Sequence, residues 1–104
     1  MDPPHAVRVA LDVPLAGPFD YLAPPDDPLT AEDVGRRVIV PFGRRRMAGV
    51  VLAVDVASEW PAEQLKPIEA VDRRAPPVPA EVLALATFAA DYYRANLGEV
   101  LLPA

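Results

Sequence analysis

"RRVIVPFGRRRMAGVVLAVDV", residues 36–56, decides the fold. Two β-branched runs, 36–42 and 47–56, flank a short "GRRR", so they read as strands joined by a tight hairpin. Gly43 suits that connection because it takes a positive φ, or admits a close backbone neighbour, without a Cβ penalty. The second run is apolar on both faces, which predicts a central strand. Pro41 has no N–H to give a ladder, and is expected to leave the backbone of Phe42 and Gly43 free for another partner.

Outward from the hairpin, "HAVRVALDV" (5–13) alternates, with Val7, Val9 and Leu11 on one face and Arg8 and Asp12 among the residues of the other. "PLAGP" (14–18) turns the chain into "FDYLA" (19–23), a strand on which Phe19 and Tyr21 share one face and Asp20 takes the other. In the polar connection "PPDDPLTAEDVG" (24–35), Thr30 and Asp33 have the spacing that caps one helical turn. "ASEWPAEQ" is a loop, and "LKPIEAVD" (65–72) a fifth strand placed at an edge by Pro67. "PAEVLALATFAADYYRANLG" (79–98) predicts a helix, with Pro79 at its start, Glu81 in its first turn and Gly98 beyond its end. Val82, Leu85, Ala86, Ala89, Tyr92 and Tyr93 fall on one stripe, expected to pack.

The fold class that follows is mainly β with a C-terminal α-helix. Residues 1–75 form a small, partly open barrel of five or six strands, and 76–104 a Pro-rich linker and helix, within one domain. The apolar "EVLLPA" reads as a place where a longer chain continues or another domain docks.

Composition narrows the function. No apolar run approaches the roughly 20 residues of a membrane helix, and the N-terminus lacks a signal-peptide layout, so a cytoplasmic protein with no membrane partner is expected. The chain has no cysteine and a single histidine, His5, which removes disulfides, thiolate metal sites and a Ser-His relay. None of its five glycines belongs to a phosphate-binding loop of the "GxxxxGK[ST]" or "GxGxxG" kind, so no ATPase motif is present and no enzyme is expected. A net charge of −5 argues against a surface that coats nucleic acid throughout, yet Arg36, Arg37, Arg44, Arg45 and Arg46 crowd into one short span.

Taken alone, the residues leave several readings open. Phe19 and Tyr21 suit a core, Asp20 a solvated or turn-capping acid, Gly43 a plain hairpin and Lys66 an edge strand. The arginine run suits a solvated turn. Trp60, beside Pro61, either plugs the core from a loop or stacks on a base. The Tyr92–Tyr93 pair suits helix packing or a domain contact.

Together, "FDY", "VGRRVIVPFGRRRMAGVV", "LKPIEAVD" and "ADYYRANLGEVLLPA" resemble the N-terminal domain of the primosomal protein N′ (PriA) family, the bacterial replication-restart helicases. That resemblance implies a circularly permuted OB-like arrangement that binds the 3′ end of the nascent leading strand at stalled forks. It places the end pocket on Phe19, Asp20, Tyr21, Gly43 and Lys66, with Arg44, Arg45 and Arg46 as phosphate contacts. The implied partners are DNA 3′ ends, the winged-helix and helicase domains of a longer protein, and other primosome proteins, in a bacterial cytoplasm at nucleoid forks. It implies no cofactor for this domain; ATP, Mg and structural Zn belong to the full-length family.

The chemistry is coherent. A carboxylate accepts a hydrogen bond from a terminal hydroxyl or a base amine and repels a continuing phosphate. Phe19 would wall the base, Gly43 would let backbone approach the ribose, and Lys66 with the arginines would hold preceding phosphates. On this view Asp20→Ala loses end preference while thermal stability stays nearly unchanged. A second reading is a protein-interaction module that docks helicase lobes or primosome partners.

Overall fold

The computed structural model describes residues 5–13 and 17–102. Five strands, β1 (His5–Leu11), β2 (Phe19–Tyr21), β3 (Arg37–Phe42), β4 (Arg45–Ala57) and β5 (Ala70–Val71), precede two helices, α1 (Ala80–Tyr93) and α2 (Leu97–Leu101). The sheet is antiparallel in the order β2-β1-β4-β3-β5. Its central position for β4 matches that strand's two apolar faces: the neighbours Val50 and Val51 are both fully buried. Most of the turn expected over 14–18 lies outside the described residues.

The hairpin forms as expected, with Gly43 at φ +61°. Pairing does not stop at Pro41, however. Pro41 faces Arg46 and Phe42 faces Arg45 across the ladder. The carbonyls of Arg37 and Ile39 accept from Asp72 and Glu69 on the β5 side, so by strand alternation Pro41 turns its main-chain atoms the same way. Its missing N–H therefore costs β4 nothing, and the free edge lies where β5 has already ended.

β5 is shorter than the expected strand because the chain before it crosses to the opposite edge. Leu22 N–H donates to the Lys66 carbonyl (2.9 Å), and Ile68 N–H donates to the Leu22 carbonyl (2.8 Å). This single bridge, Leu22 to Pro67, is where the two ends of the sheet meet. The result is a partly open, OB-like barrel. Val7, Val9, Leu11, Tyr21, Val38, Val40, Val51 and Ile68 fill its interior.

Two helix expectations need correction. α1 ends at Tyr93, with Arg94 in the left-handed region at φ +55°, and Gly98 lies inside α2 rather than beyond a helix end. Asn96 caps α2 by accepting from the Glu99 N–H at 2.7 Å. A Cβ on Gly98 would stand 2.1 Å from the Leu11 carbonyl, so the glycine is what lets α2 lie directly on β1. The expected stripe is also reversed in part. Ala86 and Ala90 are buried, whereas Val82, Leu85, Phe88, Tyr92 and Tyr93 are exposed. α1 packs with α2, its buried positions are alanines, and its large apolar side chains are largely exposed.

The polar connection is pinned as its spacing predicts: Thr30 N–H donates to Asp33 Oδ2 (2.9 Å) over a 3-10 turn, Ala31–Asp33. Its wider role was not visible in the sequence. The buried Asp33 carboxylate also accepts from Arg36 (2.8 Å) and from Arg73 (2.9 Å), which ties the connection to the chain beyond β5. Burial by itself would raise the Asp33 pKa. The Thr30 N–H and the two guanidiniums outweigh it and hold the carboxyl below its ordinary value.

Candidate nucleic-acid interface

β2 is the element on which the expected pocket residues converge, and its pleat divides them. Phe19 and Tyr21 turn towards the end of β3. The Phe19 ring meets Phe42 edge-on at 5.3 Å, and the Tyr21 hydroxyl donates to the Pro41 carbonyl at 2.8 Å. Burial pushes the Tyr21 phenol up, so it stays a neutral donor. Gly43 follows Phe42 directly, and nothing stands within 4 Å of where its Cβ would be. The backbone there is open to a ligand. The Lys66 carbonyl accepts from Leu22, the residue after β2, and Lys66 itself is exposed.

Asp20 points the other way. It lies opposite Arg8 on the β1–β2 ladder, and its side chain is only 8% exposed. Arg8 Nε donates to Oδ1 at 3.0 Å, and the Ser58 hydroxyl donates to Oδ2 at 2.8 Å. Register shifts on the β4 side flank Arg8, an irregularity of the kind that re-aims a side chain. Neither partner was singled out from the sequence, although Arg8 and Asp20 do sit on the polar phases of their strands. Among the described residues no hydrogen bond or ion pair joins Asp20 to Gly43 or Lys66. The freely presented carboxylate of the sequence reading is thus corrected to one already held by a guanidinium and a hydroxyl.

The arginines differ among themselves. Arg46 is paired with Glu69 at 2.8 Å, whereas Arg44 and Arg45 form no ion pair among the described residues. Arg45 and Arg46, with Arg37, Asp12 and Leu102, line an open hollow beside the hairpin. A second hollow of about 570 Å³ lies between β1, α1 and α2. Neither includes Phe19, Asp20, Gly43 or Lys66. Trp60 does not plug the core: it is 59% exposed. Among the described residues no group of acidic or histidine side chains is arranged to hold a metal, and no helix is long and apolar enough to cross a membrane.

The arrangement offers an aromatic pair and open backbone beside one short strand, and two hairpin arginines that form no ion pair among the described residues. A family model described as "3'DNA-binding domain (3'BD)", that of PriA, matches residues 8–104, which include every one of these side chains. The chain belongs to this family. It is similar to the replication restart protein PriA of Haemophilus influenzae, 40% identical over 98 residues, which is 94% of this chain and 13% of the relative. The PriA of Bacillus subtilis is 36% identical over 71% of this chain and 9% of its own length. That of Rickettsia prowazekii is 32% identical over 89% of this chain and 14% of its own. The chain therefore spans a small part of the relatives it matches. As a PriA 3′ DNA-binding domain, it has a DNA partner, and the docking-module reading is not favoured.

Proposed function

We propose that the chain holds the 3′-hydroxyl terminus of a DNA strand with little regard to base identity, and that it does so at stalled forks within a longer replication-restart helicase. The family match over residues 8–104 carries this reading. The site roles rest on chemistry. Phe19, braced by Phe42, supplies an aromatic wall, and the buried Tyr21 supports it from the core; Gly43 admits the ribose to open backbone; Lys66, with Arg44 and Arg45, which form no ion pair among the described residues, holds phosphates that precede the end, with Arg46 contributing less because Glu69 engages it. Asp20 takes the terminal hydroxyl. Arg8 and Ser58 donate three hydrogen bonds to it and fix its orientation, which leaves about one of its roughly four acceptor positions for a ligand.

On this reading the domain itself is not an enzyme and works in the cytoplasm. The ATP, magnesium and structural zinc of the full-length helicase, its winged-helix and helicase domains, and any primosome partners lie beyond this chain.

The test is a titration with a short 5′-labelled single strand ending in 3′-OH and the same strand ending in 3′-phosphate. The hydroxyl end is expected to bind about tenfold to hundredfold more tightly, the range of one charge-assisted hydrogen bond. Equal affinities would remove end recognition, and absence of binding to both would return the docking module.

A further inference from the structure

Trp60 is singular among the exposed apolar side chains. Among the described residues, the other large exposed ones, from Val82 to Val100, all lie on the C-terminal helices. It takes part in no ring pair among the described residues and does not join the core. The indole stands 59% in water and is therefore accessible to an occupant.

Its position supplies one. The Trp60 N–H donates to Ser58 Oγ at 3.2 Å, and that hydroxyl donates to Asp20 Oδ2 at 2.8 Å. The donor is the Trp60 main chain, which thereby lies two hydrogen bonds from the Asp20 carboxylate. The segment carrying it is fastened at both ends, to β2 through Ser58 on the Asp20 side chain and to the next residue, Leu22, through the Lys66 carbonyl. Pro61 restricts the Trp60 backbone to extended conformations and opens the 3-10 turn Ala62–Gln64. A rigid mount lowers the entropy lost when the ring is covered.

The surroundings choose the part of the ligand. Glu59 and Glu63 are exposed on the same segment, and their charges disfavour a phosphate there. A nucleobase is neutral and offers a π face whatever its identity.

We propose that Trp60 is the stacking platform for a base at or next to the 3′ terminus, coupled to Asp20 through Ser58. This rests on the end-binding reading above and extends it to a residue outside the expected pocket.

Trp60 is the sole tryptophan of the chain, so its emission reports on one site. A short 5′-labelled oligothymidylate ending in 3′-OH is titrated against the wild type, W60F and W60L, with anisotropy measuring binding and an unlabelled copy used for indole emission. The wild-type emission is expected to be quenched in step with binding. W60L, which keeps apolar bulk without a π face, is expected to weaken binding roughly fivefold to hundredfold, while W60F stays near wild type. Binding with unchanged emission, or W60L binding as tightly as the wild type, overturns the platform and leaves end recognition standing. Failure of the wild type to bind the strand overturns both.

Discussion

Arg8 and Asp20 face each other across the β1–β2 ladder, with the guanidinium Nε 3.0 Å from a carboxylate that is only 8% exposed. The acid at the centre of the proposed site is therefore also a structural link between two strands. Asp20→Ala removes the acceptor for Arg8 and for the buried Ser58 hydroxyl together. It is expected to cost about 1–2 kcal/mol, less than a fully buried pair because the Arg8 side chain is 38% exposed and regains water. Urea melts of Asp20→Ala, Arg8→Ala and the double variant measure the coupling. Strict additivity would show that the pair contributes nothing.

Asp33 sets an acid limit on stability. Its pKa is lowered in the folded protein, so its contribution is fully present above the unfolded value near 3.8 and is lost as pH falls through the still lower folded value. The difference in unfolding free energy between wild type and Asp33→Asn is expected to be constant from neutral pH to about 5 and to shrink below about 4. A difference that is flat down to pH 2 would contradict the network around Thr30, Arg36 and Arg73.

Gly98→Ala tests the seating of α2. The added Cβ would meet the Leu11 main chain at 2.1 Å, and the neighbour is backbone that cannot swing aside. A loss of about 1–3 kcal/mol is expected in chemical denaturation, as for other overpacked contacts. A neutral outcome would mean that α2 does not rest on β1 in solution.

Phosphate contacts appear in salt dependence. With two or three phosphates engaged on a single strand, the slope of log K against log salt is expected near −1.4 to −2.1, about −0.7 for each. Replacing both Arg44 and Arg45 by alanine flattens it by about 1.4, whereas Arg46→Ala, whose guanidinium already serves Glu69, changes it less. Slopes for both variants equal to that of the wild type would remove the hairpin from the DNA path.

Much of the architecture was legible because it is written in short-range periodicity. Alternation in 5–13 correctly predicted β1, and the two-sided apolar run at 47–56 correctly predicted a central place for β4. The Thr30–Asp33 spacing predicted its turn. The α1 stripe misled because large apolar residues at helical spacing normally mark the packed face. Here the buried positions of α1 are alanines, and the wide side chains are left uncovered. Gly98 misled for a similar reason: a glycine after a helix reads as a stop, whereas the demand on it comes from Leu11, far away in sequence. Ser58 carried no signal at all.

What the sequence determined by itself was the set of strands, the hairpin at Gly43 and the family-wide pattern, because each is encoded within a few neighbouring residues. Only the tertiary structure decided the company Asp20 keeps, since Arg8 and Ser58 lie 12 and 38 residues away and reach it through register and through the course of one loop. A buried carboxylate must find donors, and which donors it finds is a property of the assembled barrel rather than of any local stretch.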